Sequence, residues 1–336
     1  MPGYTSRRFP SHRSKTPLAL ETLTDYYKLN SLNANPAKTQ VCAFHLNNHK
    51  ASAKLNITWN GQLLENDRYP VYLGVTLDRT LSFNEHARKV KAKVATRNNL
   101  LSRLANSNWG ADPSTIRSTA LALSYSTAEY CSPVWSKSCH AKSVDAELNN
   151  ACRIITGNLR PTPLPAVYRL AGIAPPHIRR DAQRKTQKHK QEHDNRHPLS
   201  GHIPPRRRLP SRSSFMTTES LDPDLTTEYR TDEWTKWDSY NSSAVQPPRE
   251  ELPIGTDLPR KDWVTLNRAR AKVGKTASSL HKWNIAPTSE CPCGEPKQTM
   301  EHILTDCPLG PVCTDRDLIR CNRNAKAWIS NWRDKI

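Results

Sequence analysis

The stretch Cys291-Pro292-Cys293-Gly294, followed by His302 and Cys307, limits the fold of the C-terminal region more than any other feature of the chain. Two thiols at Cys-x-Cys spacing, an imidazole after eight residues and a third thiol after four more form a complete tetrahedral donor set for zinc. Gly294 lets the backbone fold tightly beside the first pair. Met300, Ile303 and Leu304 give the intervening segment a small apolar face. All four positions are filled by protein, leaving none for water, so the expected role is structural rather than catalytic. The competing reading is a set of reduced thiols without metal, and Cys313 and Cys321 are available as substitute ligands. Zinc contributes about 10–16 kcal/mol in small zinc-folded peptides, more than so small an apolar cluster would supply.

The rest of the chain sets the context for that site. The N-terminus, MPGYTSRRFPSHRSKTP, lacks the apolar core of a secretory signal, so the nine cysteines read as thiols or metal ligands inside a cell, nuclear or cytoplasmic, and not as a disulfide framework. No apolar run is long enough to span a bilayer. Hydrophobic residues make up 36% of the sequence, and 26 prolines outnumber 11 glycines, which predicts packed segments joined by solvated linkers. The net charge of +19 favours a polyanionic partner, and nucleic acid is preferred over a membrane surface because no basic segment carries a sustained apolar face.

Residues 1–17 are polar and proline-punctuated and are expected to be disordered. A short helix is predicted over 18–33, then a strand buried on both faces within NPAKTQVCAFHL, at 40–46. Leu55, Ile57 and Trp59 alternate with polar residues ahead of Asn60-Gly61, the two positive-φ positions of a type I′ hairpin turn. After Asp78 the period changes. Ser82 and Glu85 have capping-box spacing for a helix to about Leu104, with Val90, Val94, Leu101 and Leu104 on one side and Arg88, Lys89, Lys91, Lys93, Arg97 and Arg103 around the remainder. Asp112-Pro113 starts a second helix, and a third, over 143–156, ends at Gly157. A short helix at Leu164–Ala171 is followed by a basic, His- and Pro-rich run that is expected to remain a linker, with Trp234 and Trp237 docking locally. A basic helix at 260–272 leads into the cysteine cluster.

Several of these segments together resemble one family. LNANPAKTQVCAFHL, ITWNG, YPVYLGVTLDRTLSF and AKVATRNNLL look like the rear of the palm and the thumb of reverse transcriptases from non-LTR retrotransposons, in the clade resembling jockey-type elements. CPCGEPKQTMEHILTDCP matches the Cys-x-Cys-Gly…Gln-Thr-x-x-His-x₄-Cys-Pro segment that the same family carries at its C-terminus. The resemblance runs from Leu18 to Pro308, strongest at 30–160 and 260–308. It implies an α+β chain: a partial palm with its β-hairpin at 18–80, a helical thumb at 81–160, a long disordered Pro-rich basic linker at 161–258, a basic helix with the zinc segment at 259–312, and a tail at 313–336.

The resemblance also implies roles. Lys38 matches the lysine that lies near the incoming nucleotide, where an ammonium neutralises developing phosphate charge. Tyr72, Leu73 and Gly74 match the primer-grip hairpin. Lys89, Lys93 and Arg97 fall on the thumb helix, where they would meet phosphates of an RNA or DNA template–primer. Cys291, Cys293, His302 and Cys307 match the segment thought to help bind the element's nucleic acid. No small-molecule substrate is implied for such a fragment.

The catalytic turn of that family, an aromatic-Ala-Asp-Asp sequence whose carboxylates help to hold two Mg²⁺ ions, has no counterpart here. The chain contains no Asp-Asp pair. Mg²⁺ therefore belongs to a complete family member, and this chain alone is expected to be inactive as an RNA-directed DNA polymerase. The residues before Leu18 do not resemble the family and read as a new start on a truncated element. Two other readings compete: a non-enzymatic, zinc-stabilised nucleic-acid-binding protein, and a poorly folded pseudogene product.

Overall fold

The computed structural model describes residues 15–106, 109–204, 214–240 and 242–336. It is helix-rich with a few small strands, a mixed α and β chain. Residues 1–14 and 205–213, which include most of the expected disordered N-terminus and the most basic part of the expected linker, lie outside the described residues. No described helix is long and apolar enough to cross a membrane. The chain divides into two compact units, the first ending at His86 and the second beginning at Ala87.

In the first unit, helix α1 (Lys15–Leu29) begins before the predicted start at 18 and ends before 33. Strand β1 (Gln40–Val41) pairs in parallel with β4 (Glu65–Asn66). Between them come the short helix α2 (Asn48–Ala51) and the hairpin β2 (Thr58–Trp59) with β3 (Gln62–Leu63). The hairpin turns at Asn60 (φ 50°) and Gly61 (φ 77°), as the Asn-Gly pair predicts. Trp59 is buried and ties the hairpin to α1, its indole donating to Thr24 Oγ1 at 2.8 Å beside the Tyr27 ring. The predicted buried strand at 40–46 is not formed beyond Val41. Phe44 and Leu46 are exposed. A strand buried on both faces needs a layer against each, and among the described residues β1 pairs with β4 alone.

A second hairpin, β5 (Val71–Tyr72) with β6 (Val75–Thr76), follows at once. Beyond it, the Asp78 carboxylate gathers the backbone N–H groups of Thr80, Ser82 and Phe83 and the hydroxyls of Thr80 and Ser82. Burial raises the pKa of this carboxyl, but those hydrogen bonds outweigh it and hold the group below its ordinary value. The carboxylate thereby fixes the turn that launches α3 (Asn84–Leu104).

The second unit is a helical assembly. Helix α4 (Pro113–Ala120) is capped by Asp112, which accepts from Thr115 N–H at 2.9 Å, and runs through one π-type turn (Leu121–Tyr125) into α5 (Ser126–Glu129). Then come α6 (Ser132–Trp135), α7 (Ala141–Thr156), α8 (Leu164–Ala171), α9 (Pro176–His193), α10 (Thr226–Trp237) and α11 (Arg260–Arg270). Last are α12 (Ala277–Lys282), α13 (Met300–Thr305), α14 (Asp315–Arg320) and α15 (Arg323–Trp332).

Two expectations fail here. The segment 161–258 is not a disordered linker over its described residues. Helices α8, α9 and α10 pack into the assembly, and Leu170 and Trp234 are wholly buried. The arginines that made the segment look solvated have distant acidic partners: Arg180 with Asp145, Arg179 with Glu129 (2.5 Å) and Glu250 (3.3 Å), Arg169 with Asp238 (2.5 Å), and Arg230 with Glu250. Local composition does not display pairing at such sequence separations. Nor is 313–336 a tail. Leu318, Ala325, Trp328, Ile329 and Trp332 join Leu266, Ala269, Ile303 and Leu304 in one core.

Helix α11 binds that core to the bundle by capping α7. The last carbonyls of a helix lack intrahelical partners. Here the Arg260 guanidinium donates to the Ile155 carbonyl at 2.5 Å and also to that of Ile154. The Trp263 indole reaches Ile155 at 3.1 Å, the Asn267 amide Thr156 at 3.2 Å, and the Arg268 guanidinium Gly157 at 3.2 Å. Arg270 does the same for α14, donating to the carbonyl of Leu318.

A smaller device closes α14 at its other end. Thr314 and Asp317 form a reciprocal capping box, and hydrogen bonds from Thr314 and Asn322 bring the Asp317 carboxyl down to about 2 from 3.8. A depressed folded-state pKa gives stability that is fully present above about 4 and is lost as pH falls toward about 2. Asp317→Asn is therefore expected to flatten the acid limb of a stability–pH profile over that range, with little change at pH 7 beyond the loss of the cap.

Candidate metal centre

Cys291 and Cys293 sit on a tight turn. Gly294 takes φ 97°, its N–H bonds to the Cys291 carbonyl at 2.9 Å, and the Cys291 N–H returns to the Glu295 carbonyl at 2.8 Å. His302 lies in the first turn of α13, whose Thr299 cap accepts from the His302 N–H at 3.1 Å. Cys307 follows the helix end, its N–H bonded to the His302 carbonyl at 2.8 Å. Backbone geometry at both ends thus aims the four side chains at a common point.

Their ligand atoms all lie within 4.8 Å of one another. Cys291 Sγ is 3.7 Å from Cys307 Sγ, and Cys293 Sγ is 3.3 Å from His302 Nε2. A tetrahedral ion with bonds of about 2.3 Å to sulfur would separate two sulfurs by about 3.8 Å. The sulfur pair is far outside disulfide range, which is about 2.05 Å. The donor set can hold a metal ion and is compatible with structural zinc.

The thiols differ in acidity. Burial raises the Cys291 pKa, but hydrogen bonds from the Cys293 N–H and the Gln298 amide outweigh it and bring the thiol down to about 7. Burial pushes the neighbouring Cys307 up to about 11. A metal must displace the protons that this pair retains, so its affinity is expected to fall with falling pH across the neutral range and more steeply below about 7, where Cys291 is protonated as well. Zinc release to a colorimetric chelator, measured from pH 8 to 5, checks this; release independent of pH would count against thiolate ligation.

Cys313 and Cys321 are not brought to the cluster. Both are core residues, and burial raises both thiols, Cys313 to about 12. The apolar surroundings are also larger than the sequence suggested. Met300, Ile303 and Leu304 belong to the core shared with α11, α14 and α15, and the Trp328 indole donates to the Ile303 carbonyl at 2.7 Å. Gln298 was missed in the sequence. Its amide lies 3.5 Å from Cys291 Sγ while its carbonyl accepts from the Ala277 N–H at 2.8 Å, so it ties the cluster to α12.

The other candidate residues fall in separate places. Lys38 ends a single 3₁₀ turn (Pro36–Lys38) and is exposed. Tyr72 and Leu73 lie at the tip of the β5–β6 hairpin, 69% and 72% exposed, and Leu73 (φ 45°) and Gly74 (φ 80°) both take the left-handed conformation of a type I′ turn. Lys89, Lys93 and Arg97 recur every fourth residue along α3. Lys93 is exposed and the other two are half-buried, while Val90, Val94 and Leu101 are buried. Comparison with protein-family models, curated proteins and solved structures finds no match.

Proposed function

We propose that this chain is a nucleic-acid-binding part of a non-LTR retrotransposon reverse transcriptase, comprising the rear of a palm, a helical thumb and a zinc-held C-terminal module, and that it does not polymerise on its own. The observation that carries the reading is the β5–β6 hairpin. A leucine held in the left-handed region is strained, and the turn presents two large apolar side chains to solvent. Their exposure at the turn leaves both side chains available to a bound primer strand. The line of Lys89, Lys93 and Arg97 on α3 supports phosphate contact. Catalysis would require carboxylates supplied from elsewhere, since two-metal chemistry needs them clustered and the chain has no Asp-Asp pair.

Binding of an RNA–DNA hybrid by fluorescence anisotropy tests the reading. At about 50 mM salt the chain is expected to bind, with affinity falling steeply as salt rises. Each of Lys89→Ala, Lys93→Ala and Arg97→Ala is expected to reduce the slope of log K against log salt by about 0.9. Absence of binding at that salt, or slopes unchanged in all three variants, would reject the interface. Nucleotide incorporation by the purified chain with Mg²⁺, template and primer would reject its inactivity.

The second reading, a zinc-stabilised nucleic-acid-binding protein without a polymerase role, is favoured by the nature of the four-residue cluster, which is thiolate and imidazole rather than carboxylate. It predicts no preference for a recessed primer end over a blunt duplex, whereas a primer grip predicts one.

A further inference from the structure

Of the nine tryptophans, Trp59, Trp135, Trp234, Trp263, Trp328 and Trp332 are buried, Trp283 is half-buried, Trp109 is 68% exposed and Trp237 at the end of α10 is 42% exposed; the last borders a cavity. It does not hang free. The rings of Tyr168 (centroids 6.1 Å apart, planes at 58°) and His177 (5.3 Å, 61°) brace it. It borders a cavity of about 310 Å³ between the antiparallel helices α9 and α10, which His177, Asp181, Tyr229, Glu233 and Lys236 also line. Braced aromatic surface beside an open volume is suited to a flat ring.

The charges narrow the choice of ring. Asp181 is bonded to the Tyr229 hydroxyl (2.7 Å) and paired with Arg184 (3.2 Å), and Glu233 is paired with Lys236 (2.8 Å). The Tyr229 ring already has the Lys185 ammonium 4.6 Å from its centroid. A cationic guest would therefore find the carboxylates neutralised and one aromatic partner taken. A neutral ring carried on an anionic backbone suits the site better: the Lys236–Glu233 pair is solvent-exposed, such pairs contribute little stability, and Lys236 can exchange Glu233 for a phosphate.

We propose that this notch stacks one unpaired base of a single-stranded nucleic acid on Trp237, with the flanking phosphate met by Lys236. The inference rests on the reading of the chain as a nucleic-acid-binding protein and adds a single-strand site, apart from the hairpin and α3, in a segment whose sequence reads as a linker. Stacking on one aromatic ring accepts any base, so the site is expected to be tolerant of sequence.

The test compares the full, zinc-loaded chain with Trp237→Ala, Trp237→Phe and Lys236→Glu on a single-stranded oligouridylate, an oligothymidylate and an RNA–DNA hybrid. Trp237→Ala is expected to weaken single-strand binding about 5- to 100-fold and to leave hybrid binding unchanged, with Phe restoring most of the loss. Lys236→Glu should lower single-strand affinity and its salt dependence. Loss on oligouridylate alone or on both single strands supports the site. Photo-crosslinking of 4-thiouridine RNA to the wild-type chain is expected on the peptide carrying Trp237, and this readout stands if the alanine variant unfolds. Wild-type single-strand binding that Trp237→Ala leaves intact, crosslinks confined to the hairpin and α3, or displacement of the RNA by a proline-rich or methylated-lysine peptide would each overturn the inference while leaving the wider reading in place. Absence of binding to all three probes would overturn both.

Discussion

Removal of an ion held by Cys291, Cys293, His302 and Cys307 is expected to lower the melting temperature of the chain by about 10–20 °C. The size follows from two opposing considerations. In small zinc-folded peptides the ion supplies about 10–16 kcal/mol because little else holds the fold. Here Ile303, Leu304, Trp328 and Trp332 form a real apolar core, so part of the module's stability survives without the ion. A net loss of about 5 kcal/mol is a reasonable middle value, and in a unit of this size each kcal/mol moves the midpoint by about 2–4 °C. Cys291→Ser and Cys307→Ser should reproduce the effect of a chelator, and the chelator should then add nothing further. Cys313→Ala, a core thiol outside the cluster, should retain one metal per chain and lose only about 1 kcal/mol of packing. A purified chain with no bound metal and a melting curve indifferent to chelation would show that the four side chains are ordinary reduced residues.

That centre was legible because everything that builds it is local. Cys291, Cys293, His302 and Cys307 lie within one turn, one short helix and the second residue past its end, so spacing alone fixed their meeting. The same holds for Asn60-Gly61 and Asp112-Pro113, where turn and cap chemistry is written in adjacent residues. What escaped the sequence was non-local. Arg179, Arg180 and Arg230 read as solvated charge until Glu129, Asp145 and Glu250 are seen beside them. The region judged too polar to fold buries Ala166, Val167, Leu170, Ala171, Ile173, Ala174, Ile178 and Ala182 along α8, the start of α9 and the turn between them, with Trp234 and Val245 beyond, and Arg179 and Arg180 are paired. The C-terminal helix is a different kind of miss. Ala325, Trp328, Ile329 and Trp332 stand at helical spacing and are all buried, so the signal was present and went unread. The strand at 40–46 failed for a third reason. An apolar run specifies burial only if partners exist to cover it, and β1 finds one.

Gly157→Ala is expected to destabilise the second unit by about 2–5 kcal/mol, more than a helix cap alone would cost. Sequence identifies Gly157 as the left-handed end of α7, and the structure gives φ 74° there. An L-residue in that conformation costs about 1–2 kcal/mol. The second part of the penalty is steric and could not be read from the sequence. A Cβ at 157 would lie 2.3 Å from Val264 Cγ2 and 2.7 Å from Val264 Cγ1, because α11 approaches to cap α7 at this position. Overpacking of that kind adds about 1–3 kcal/mol, and helix α11 must shift to relieve it. Any shift loosens the bonds from Arg260, Trp263, Asn267 and Arg268 to the carbonyls at the end of α7, which join the C-terminal core to the bundle. Val264→Ala removes the two clashing methyls and should cost about 0.5–1.5 kcal/mol by itself. In the double variant it should instead recover part of the Gly157→Ala loss, leaving the backbone strain of about 1–2 kcal/mol and a residual contact with the Cβ of residue 264, which lies 2.9 Å away. Equilibrium denaturation of the four proteins measures the coupling. Simple additivity would mean that α11 does not press on Gly157, and the joint between bundle and metal module would have to be sought elsewhere.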